Sequence, residues 1–474
     1  MFKNGNPSHN NIGDIMGIFK KKQKDAVSFV NYSKPSDVES NDDYLYKNIF
    51  STVKENLDYI KMYQGECWDF VSNEFTLENN FQEIEVALVY YAGLVDQNLL
   101  NKTVIDALGR NFQRAKKKLE TSEDIYRFFK RKVLTTIGID EAEQFGKLFN
   151  TMLSGDMIIF LNGCNKCLIV GARMYQERQV DKPTTQISVM GSNDSFNENL
   201  LTNVSLVRKR IKNPNLIVKN IILGKESNTN VAILYIKGLV DENILKEVIR
   251  RLKSTNMPEI VDSGYVENAL REKQLSIFPK IYYTERPDST VANLFEGRVA
   301  IFIDSSPDIL IAPALFTQFL HSSEDFHQKA IIASFFRLLR FFGFSLSLFL
   351  PGLYIIFIVH QSELVPFKLL FGVAGQRILT PLPASLELFL VMIAFDLLRE
   401  AGTRMPTALG ATLSFVGAII IGQSSVEAGL ISPIIVIVVT VTGIGTMLIP
   451  NYKLNITVTV IKYLFTIIAT FFGF

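Results

Sequence analysis

Hydrophobic positions divide the chain into three regimes. Residues 1–42 hold almost no apolar run and are rich in Asn, Ser, Lys and Asp, so they read as a disordered polar tail. From Asp43 to Met62 the apolar residues Leu45, Ile49, Val53, Leu57 and Ile60 recur at helical spacing. Short β-branched runs then alternate with helical patterns as far as residue 328, which predicts α/β architecture. Beyond that the runs lengthen. Leu338–Val359 spans 22 residues, enough to cross a hydrocarbon core of about 30 Å, and Pro351 within it predicts a kink. Ala384–Leu398 is shorter and carries Glu387 and Asp396. Ala408–Gly422 is rich in small residues, Leu430–Ile449 is uniformly apolar, and Ile456–Phe474 is interrupted only by Lys462. These five stretches predict an all-α polytopic membrane domain of about five transmembrane helices over residues 329–474.

The α/β regime contains an internal repeat. Val86–Leu100 reads VALVYYAGLVDQNLL and Val231–Leu245 reads VAILYIKGLVDENIL, with nine of fifteen positions identical at an offset of 145. Each copy predicts a buried strand, a tight turn at Gly93 or Gly238, and a helix whose N-cap is Asp96 or Asp241. Two related α/β subdomains in tandem follow, over 43–175 and 176–328. A duplicated scaffold and a ligand cleft between two lobes both fit this pattern.

Charge adds orientation. Nearly all charged residues precede Arg340, and a formal net charge of +2 gives no reason to expect nucleic acid. The N-terminal stretch has a basic run at Lys20–Lys24 but no adjacent apolar segment of signal-peptide length, so the α/β region is expected on the cytoplasmic side. With that region inside, Arg337, Arg340, Arg399, Arg404 and Lys453 fall on the inner side and Lys368 and Arg377 on the outer side. That count holds if Ala384–Leu398 spans the bilayer.

Catalytic chemistry finds no foothold, and no enzyme or cofactor is expected. Cys164 and Cys167 form a lone Cys-x-x-Cys with no second pair, which favours ordinary core residues over a zinc site. Gly224-Lys225 lacks the surrounding residues of a phosphate loop, since Lys219 and Glu226 stand where Gly and Ser or Thr are needed. His9, His321, His327 and His360 are scattered. Arg208-Lys209-Arg210 reads as a solvated helix face, with anionic lipid headgroups as the alternative.

The candidate functional residues lie in the membrane regime, where ionisable groups are costly and usually face a partner or a polar cavity. Glu387, Asp396 and Glu400 are one set; Asp396 and Glu400 are a like-charged i, i+4 pair that Arg399 or Arg404 would neutralise. Gln423, Ser424, Ser425 and Glu427 are the second set. A lining for an ion path and interhelical pairing at a membrane boundary are the two readings. Gly410 with Ser414 and Ala418 with Gly422 are small-xxx-small pairs that predict close helix packing.

Several blocks resemble the A subunit of the GerA-type spore germinant receptors. They are Thr284-Glu285-Arg286-Pro287-Asp288 with Glu296–Ile301, Leu398–Pro406 (LREAGTRMP), Gly422–Pro433 (GQSSVEAGLISP) and Asn203–Leu216 (NVSLVRKRIKNPNL). The resemblance runs from about Gly65 to Ile461. It implies a membrane subunit that oligomerises, works with a transporter-like B subunit and a lipoprotein C subunit, and forms a nutrient-gated path for monovalent cations. The expected site is the spore inner membrane, with the soluble region facing the cytoplasm or spore core. Candidate pore or gating residues are then Glu387, Asp396, Arg399, Glu400, Arg404, Gln423, Ser424 and Glu427. A non-conducting scaffold subunit and the related A-like protein of the spore dipicolinate channel are the alternatives. The chain departs from the family at Lys182-Pro183 (usually Glu-Pro), at Gly191–Phe196, and at Asp304-Ser305-Ser306-Pro307 (usually Asp-Gly-Ser-Pro). It also ends at Phe474 within an apolar run where relatives continue, which reads as a truncated product or a divergent copy with impaired function.

Overall fold

The computed structural model describes residues 42–100, 106–113, 119, 121–133, 138–174, 183, 186, 191–270, 276–378, 380–404, 417 and 420–473. The polar tail up to residue 41, Lys182 and most of the 408–422 stretch lie outside the described residues.

Helix α1 (Val53–Gln64) starts where Thr52 accepts a hydrogen bond from the Glu55 amide, and it buries Val53, Leu57 and Ile60. The helical spacing from Asp43 therefore overreaches. Asp42–Leu45 is one 3-10 turn, and the backbone leaves helical geometry where Asn48 bridges to Gln144. Five antiparallel strands follow: β1 (Phe70–Glu78), β2 (Glu83–Tyr91), β3 (Ile139–Ala142), β4 (Met157–Leu161) and β5 (Cys167–Val170). They are ordered β1-β2-β4-β5-β3. Helices α2 (Asp106–Gln113), α3 (Ser122–Phe128) and α4 (Phe145–Met152) accompany them.

A second sheet has the equivalent order β6-β7-β9-β10-β8, from β6 (Leu216–Leu223), β7 (Thr229–Ile236), β8 (Tyr282–Thr284), β9 (Val299–Ile303) and β10 (Ile309–Ala312). Its helices are α5 (Leu200–Arg210), α6 (Glu242–Ser254), α7 (Ser263–Leu270) and α8 (Pro287–Phe295). The repeated sequence supplies β2 and β7 and the turns after them. Both strands are covered on both faces. Val86, Leu88 and Tyr90 enter one core and Ala87, Val89 and Tyr91 another. Likewise Val231, Ile233 and Tyr235 face one side, and Ala232, Leu234 and Ile236 the other. The second of those cores does not stop at the sheet; it continues through Phe319 into Phe344, Leu348, Ile449, Leu454 and Val458 of the C-terminal helices.

The C-terminal part holds α9 (Ala330–Ile355), α10 (Phe367–Arg377), α11 (Ala384–Arg404), α12 (Pro433–Met447) and α13 (Tyr452–Phe472). α9 runs through Pro351 and passes into a π-type turn at Ile356–His360. Among the described residues, Ala330–His360 (31 residues) and Tyr452–Phe472 (21 residues) are long and apolar enough to cross a membrane. α12 has 15 residues, about 22 Å at 1.5 Å per residue. The small-residue pairs expected at 410 and 414 lie outside the described residues, as does Ala418. Among the described residues, α9 approaches α12 closely, where a Cβ on Gly445 would stand 2.6 Å from the Gly343 carbonyl oxygen. A Cβ on Gly352 of α9 would come within 2.4 Å of the Phe465 ring on α13.

Candidate functional site

The two lobes are joined by a buried ion pair. Arg208 and Asp69 have side chains 0% and 2% exposed, and the guanidinium grips the carboxylate with two hydrogen bonds while stacking 4.2 Å from the Tyr91 ring centroid. Gln64 completes the seam, receiving the Tyr91 hydroxyl at 2.7 Å and donating to the Pro214 carbonyl at 2.6 Å. The solvated face expected at Arg208-Lys209-Arg210 is thus corrected. Arg208 is interior, Arg210 pairs with Asp194, and only Lys209 is exposed. Three charges in a row hide this, because one helical turn points neighbouring side chains in different directions.

Besides the core shared with the helices, two ion-paired contacts among the described residues fasten the second lobe to them. Arg337 and Arg340 at the start of α9 both hold Asp325, Arg340 with two 2.7 Å hydrogen bonds. At the start of α13, Lys453 pairs with Glu267 and lies 3.4 Å from the Tyr283 ring centroid, and the Tyr283 hydroxyl donates to Glu267 at 2.6 Å. Asn451 caps that helix by accepting from the Lys453 and Leu454 amides.

From Lys453 a polar stripe follows α13 towards α11. Asn455 and Thr459 receive hydrogen bonds from Arg399 at 3.3 and 3.2 Å. One turn further Lys462, whose side chain is 4% exposed, donates to Asp396 at 2.9 Å, and the Tyr463 hydroxyl donates to the same oxygen at 2.7 Å. Arg399 lies 3.4 Å from the other Asp396 oxygen. Asp396 therefore sits between two cations, and its main partner comes from 66 residues away rather than from its own helix.

The remaining candidates are not gathered with it. Glu387, in the first turn of α11, is fully buried and accepts the Ser432 amide at the start of α12. Glu400 is exposed on the last turns of α11. Arg404 closes that helix, and its side chain lies outside the described residues. Gln423 donates to Glu427 at 2.9 Å, and both are exposed with Ser424 on the turn Ile420–Glu427. Sequence reasoning missed Tyr354, Arg377, Ser432 and Asp69. Lys462 carried a signal, being the one charge in its apolar run, but nothing local in the sequence marked Asp396 as its partner.

No group of His, Cys, Asp and Glu fit for a metal ion occurs among the described residues. Cys67, Cys164 and Cys167 are free and buried; burial pushes Cys164 up to about 11 and Cys167 up to about 12, so neither is a thiolate near neutrality.

These features define a class: a two-sheet α/β unit fixed to a helical part that has, among the described residues, two helices of membrane-crossing length and charges paired between helices. The particular family follows from comparison. Residues 58–474 match the Bacillus/Clostridium GerA spore germination proteins, and the chain belongs to that family. It is 36% identical to spore germination protein KA of Bacillus subtilis over 91% of this chain and 76% of that protein. It is 33% identical to spore germination protein B1 of the same organism, over 90% and 86%. The uncharacterized membrane protein YfkQ of Bacillus subtilis is 31% identical over 92% of this chain and 83% of its own length. A crystal structure of the N-terminal domain of the A subunit of the Bacillus megaterium spore germinant receptor GerK3 aligns at 31% identity and TM-score 0.45. That alignment covers 57% of this chain and 98% of the domain.

Proposed function

We propose that the chain is the A-type membrane subunit of a spore nutrient receptor in the spore inner membrane. In this reading several copies assemble with a transporter-like B subunit and a lipoprotein C subunit. Nutrient sensing then opens a path for monovalent cations, with the α/β lobes facing the cytoplasm or spore core. The observation that carries it is the family match running without a break through both lobes and the helices. The polar stripe on α13 supports a coupled machine, because it links the second lobe at Glu267 to the charge at Asp396.

Among the candidate residues, Glu400, Gln423, Ser424 and Glu427 are exposed on this chain, where they can meet cations or a second copy. Glu387, Asp396 and Arg399 are engaged between helices and fit gating better than conduction. A scaffold that never conducts is the second reading, favoured by the engagement of Asp396 inside the chain with Lys462, Tyr463 and Arg399. Nothing in either reading calls for a catalytic role or a bound cofactor.

Potassium efflux decides between them. The receptor complex containing this chain, reconstituted in potassium-loaded vesicles, is expected to release potassium when a nutrient from an amino-acid and sugar panel is added. Glu400→Gln with Glu427→Gln is expected to slow that release. A complex that binds nutrient yet never passes a monovalent cation is a scaffold.

A further inference from the structure

Where α9, α10, α11 and α12 meet, four polar atoms are buried without a hydrogen-bond partner: Tyr354 OH, Arg377 Nε, Glu387 Oε2 and Ser432 Oγ. Glu387 and Ser432 are 0% exposed and Tyr354 is 8% exposed. They belong to one place. The Ser432 amide donates to the other Glu387 oxygen, and the Tyr354 hydroxyl lies against the Ser432 side chain in a contact too loose to satisfy either hydroxyl, within the electrostatic reach of both Glu387 and Arg377. Tyr354 also shares an apolar cluster with Leu388, next to Glu387, and Ile435, one helical turn beyond Ser432. A carboxyl group and two hydroxyls enclosed by such a cluster are unfavourable unless something satisfies them.

We propose that these four groups enclose a buried water site, with Arg377 as the counter-charge of Glu387 across the water. Valence selects the occupant. Glu387 Oε2 only accepts, Arg377 Nε only donates, and the two hydroxyls do either. One or two waters, each donating twice and accepting twice, match that set. A metal cation would find three oxygens here but would face a guanidinium. The Ser432 amide at the start of α12 already donates to the carboxyl group, and Arg377 brings a positive charge, so a further cation is disfavoured. The water then ties α9, α10 and α11 to the first turn of α12, whether or not the protein conducts.

The test uses the full-length chain purified in detergent. Glu387→Gln and Arg377→Gln are each expected to lower the thermal midpoint by several degrees, and the double variant by no more than the worse single one. Tyr354→Phe, which keeps both charges, is expected to speed hydrogen exchange at the peptide containing Ser432 by about tenfold. Replacing sodium chloride by potassium or N-methylglucamine chloride should leave the wild-type midpoint unchanged. Additive losses in the double variant overturn the Arg377 pairing. Unchanged exchange in Tyr354→Phe overturns the shared water. A wild-type midpoint raised by sodium or potassium, and lost in Glu387→Gln, assigns the site to a cation and overturns the proposal. Should the charge variants fail to fold, the ion exchange in wild type and the Tyr354→Phe measurement still decide.

Discussion

At Ser305 the backbone enters the left-handed region with φ 68°, in the Asp304–Pro307 turn where the resembled family usually has glycine. A Cβ in that conformation is strained, whereas glycine loses more chain entropy on folding. Ser305→Gly is therefore expected to stabilise by about 0.5–1 kcal/mol, read as a higher thermal midpoint. Gly93 and Gly238 show why equal residues in a repeat need not play equal parts. Gly238 turns with φ 87°, while Gly93 avoids the left-handed region and is needed because a Cβ would stand 3.1 Å from the Leu201 carbonyl oxygen of α5. The cysteines give a pH prediction. Their thiols ionise near 9 when unfolded but near 11 for Cys164 and 12 for Cys167 when folded. Raised folded values mean a contribution that is full below pH 9 and is lost as pH climbs through 11 to 12. Alkylation of both should stay negligible at neutral pH until denaturant is added, and stability should fall above pH 9.

Helix by helix, much of the architecture was readable from the chain. Strand patterning placed β2 and β7, and Asp241 caps α6 through the Asn243 amide at 2.8 Å as its position after Gly-Leu-Val suggested. What escaped was pairing across distance. Lys462 and Asp396 are each legible as isolated charges, but nothing local tells that α13 brings one to the other. The same holds for Asp69 and Arg208, 139 residues apart. The interhelical pair yields a test at this scale. Asp396→Asn leaves Lys462 enclosed with no carboxylate, a loss of about 3–5 kcal/mol by analogy with other buried pairs. Combining it with Lys462→Met removes the stranded charge and should recover most of that loss. Thermal unfolding in detergent compares the three. Equal loss in the single and double variants would mean that Asp396 answers chiefly to Arg399.

For the whole molecule the question is how a change in the lobes reaches the helices. Two rigid joints stand in series: Asp69–Arg208 between the lobes, and Glu267–Lys453 between the second lobe and α13. They differ in burial, and the expected phenotypes differ with it. Arg208 is wholly enclosed, so Asp69→Ala strands a buried cation at about 3–5 kcal/mol and should deplete the folded protein before it alters any signal. Lys453 is about a third exposed, so its charge can be resolvated when Glu267 is neutralised, and folding should survive. Yet Glu267→Gln cuts the lobe's grip on the helix that carries Lys462 to Asp396. If that helix relays the signal, spores carrying Glu267→Gln should hold normal amounts of the subunit but release potassium more slowly at saturating nutrient. Lys453→Met should do the same, and the double variant no more than either. Wild-type release from both single variants would show that the junction only anchors the lobe, and would move the relay to the other fastening point, Asp325 with Arg337 and Arg340.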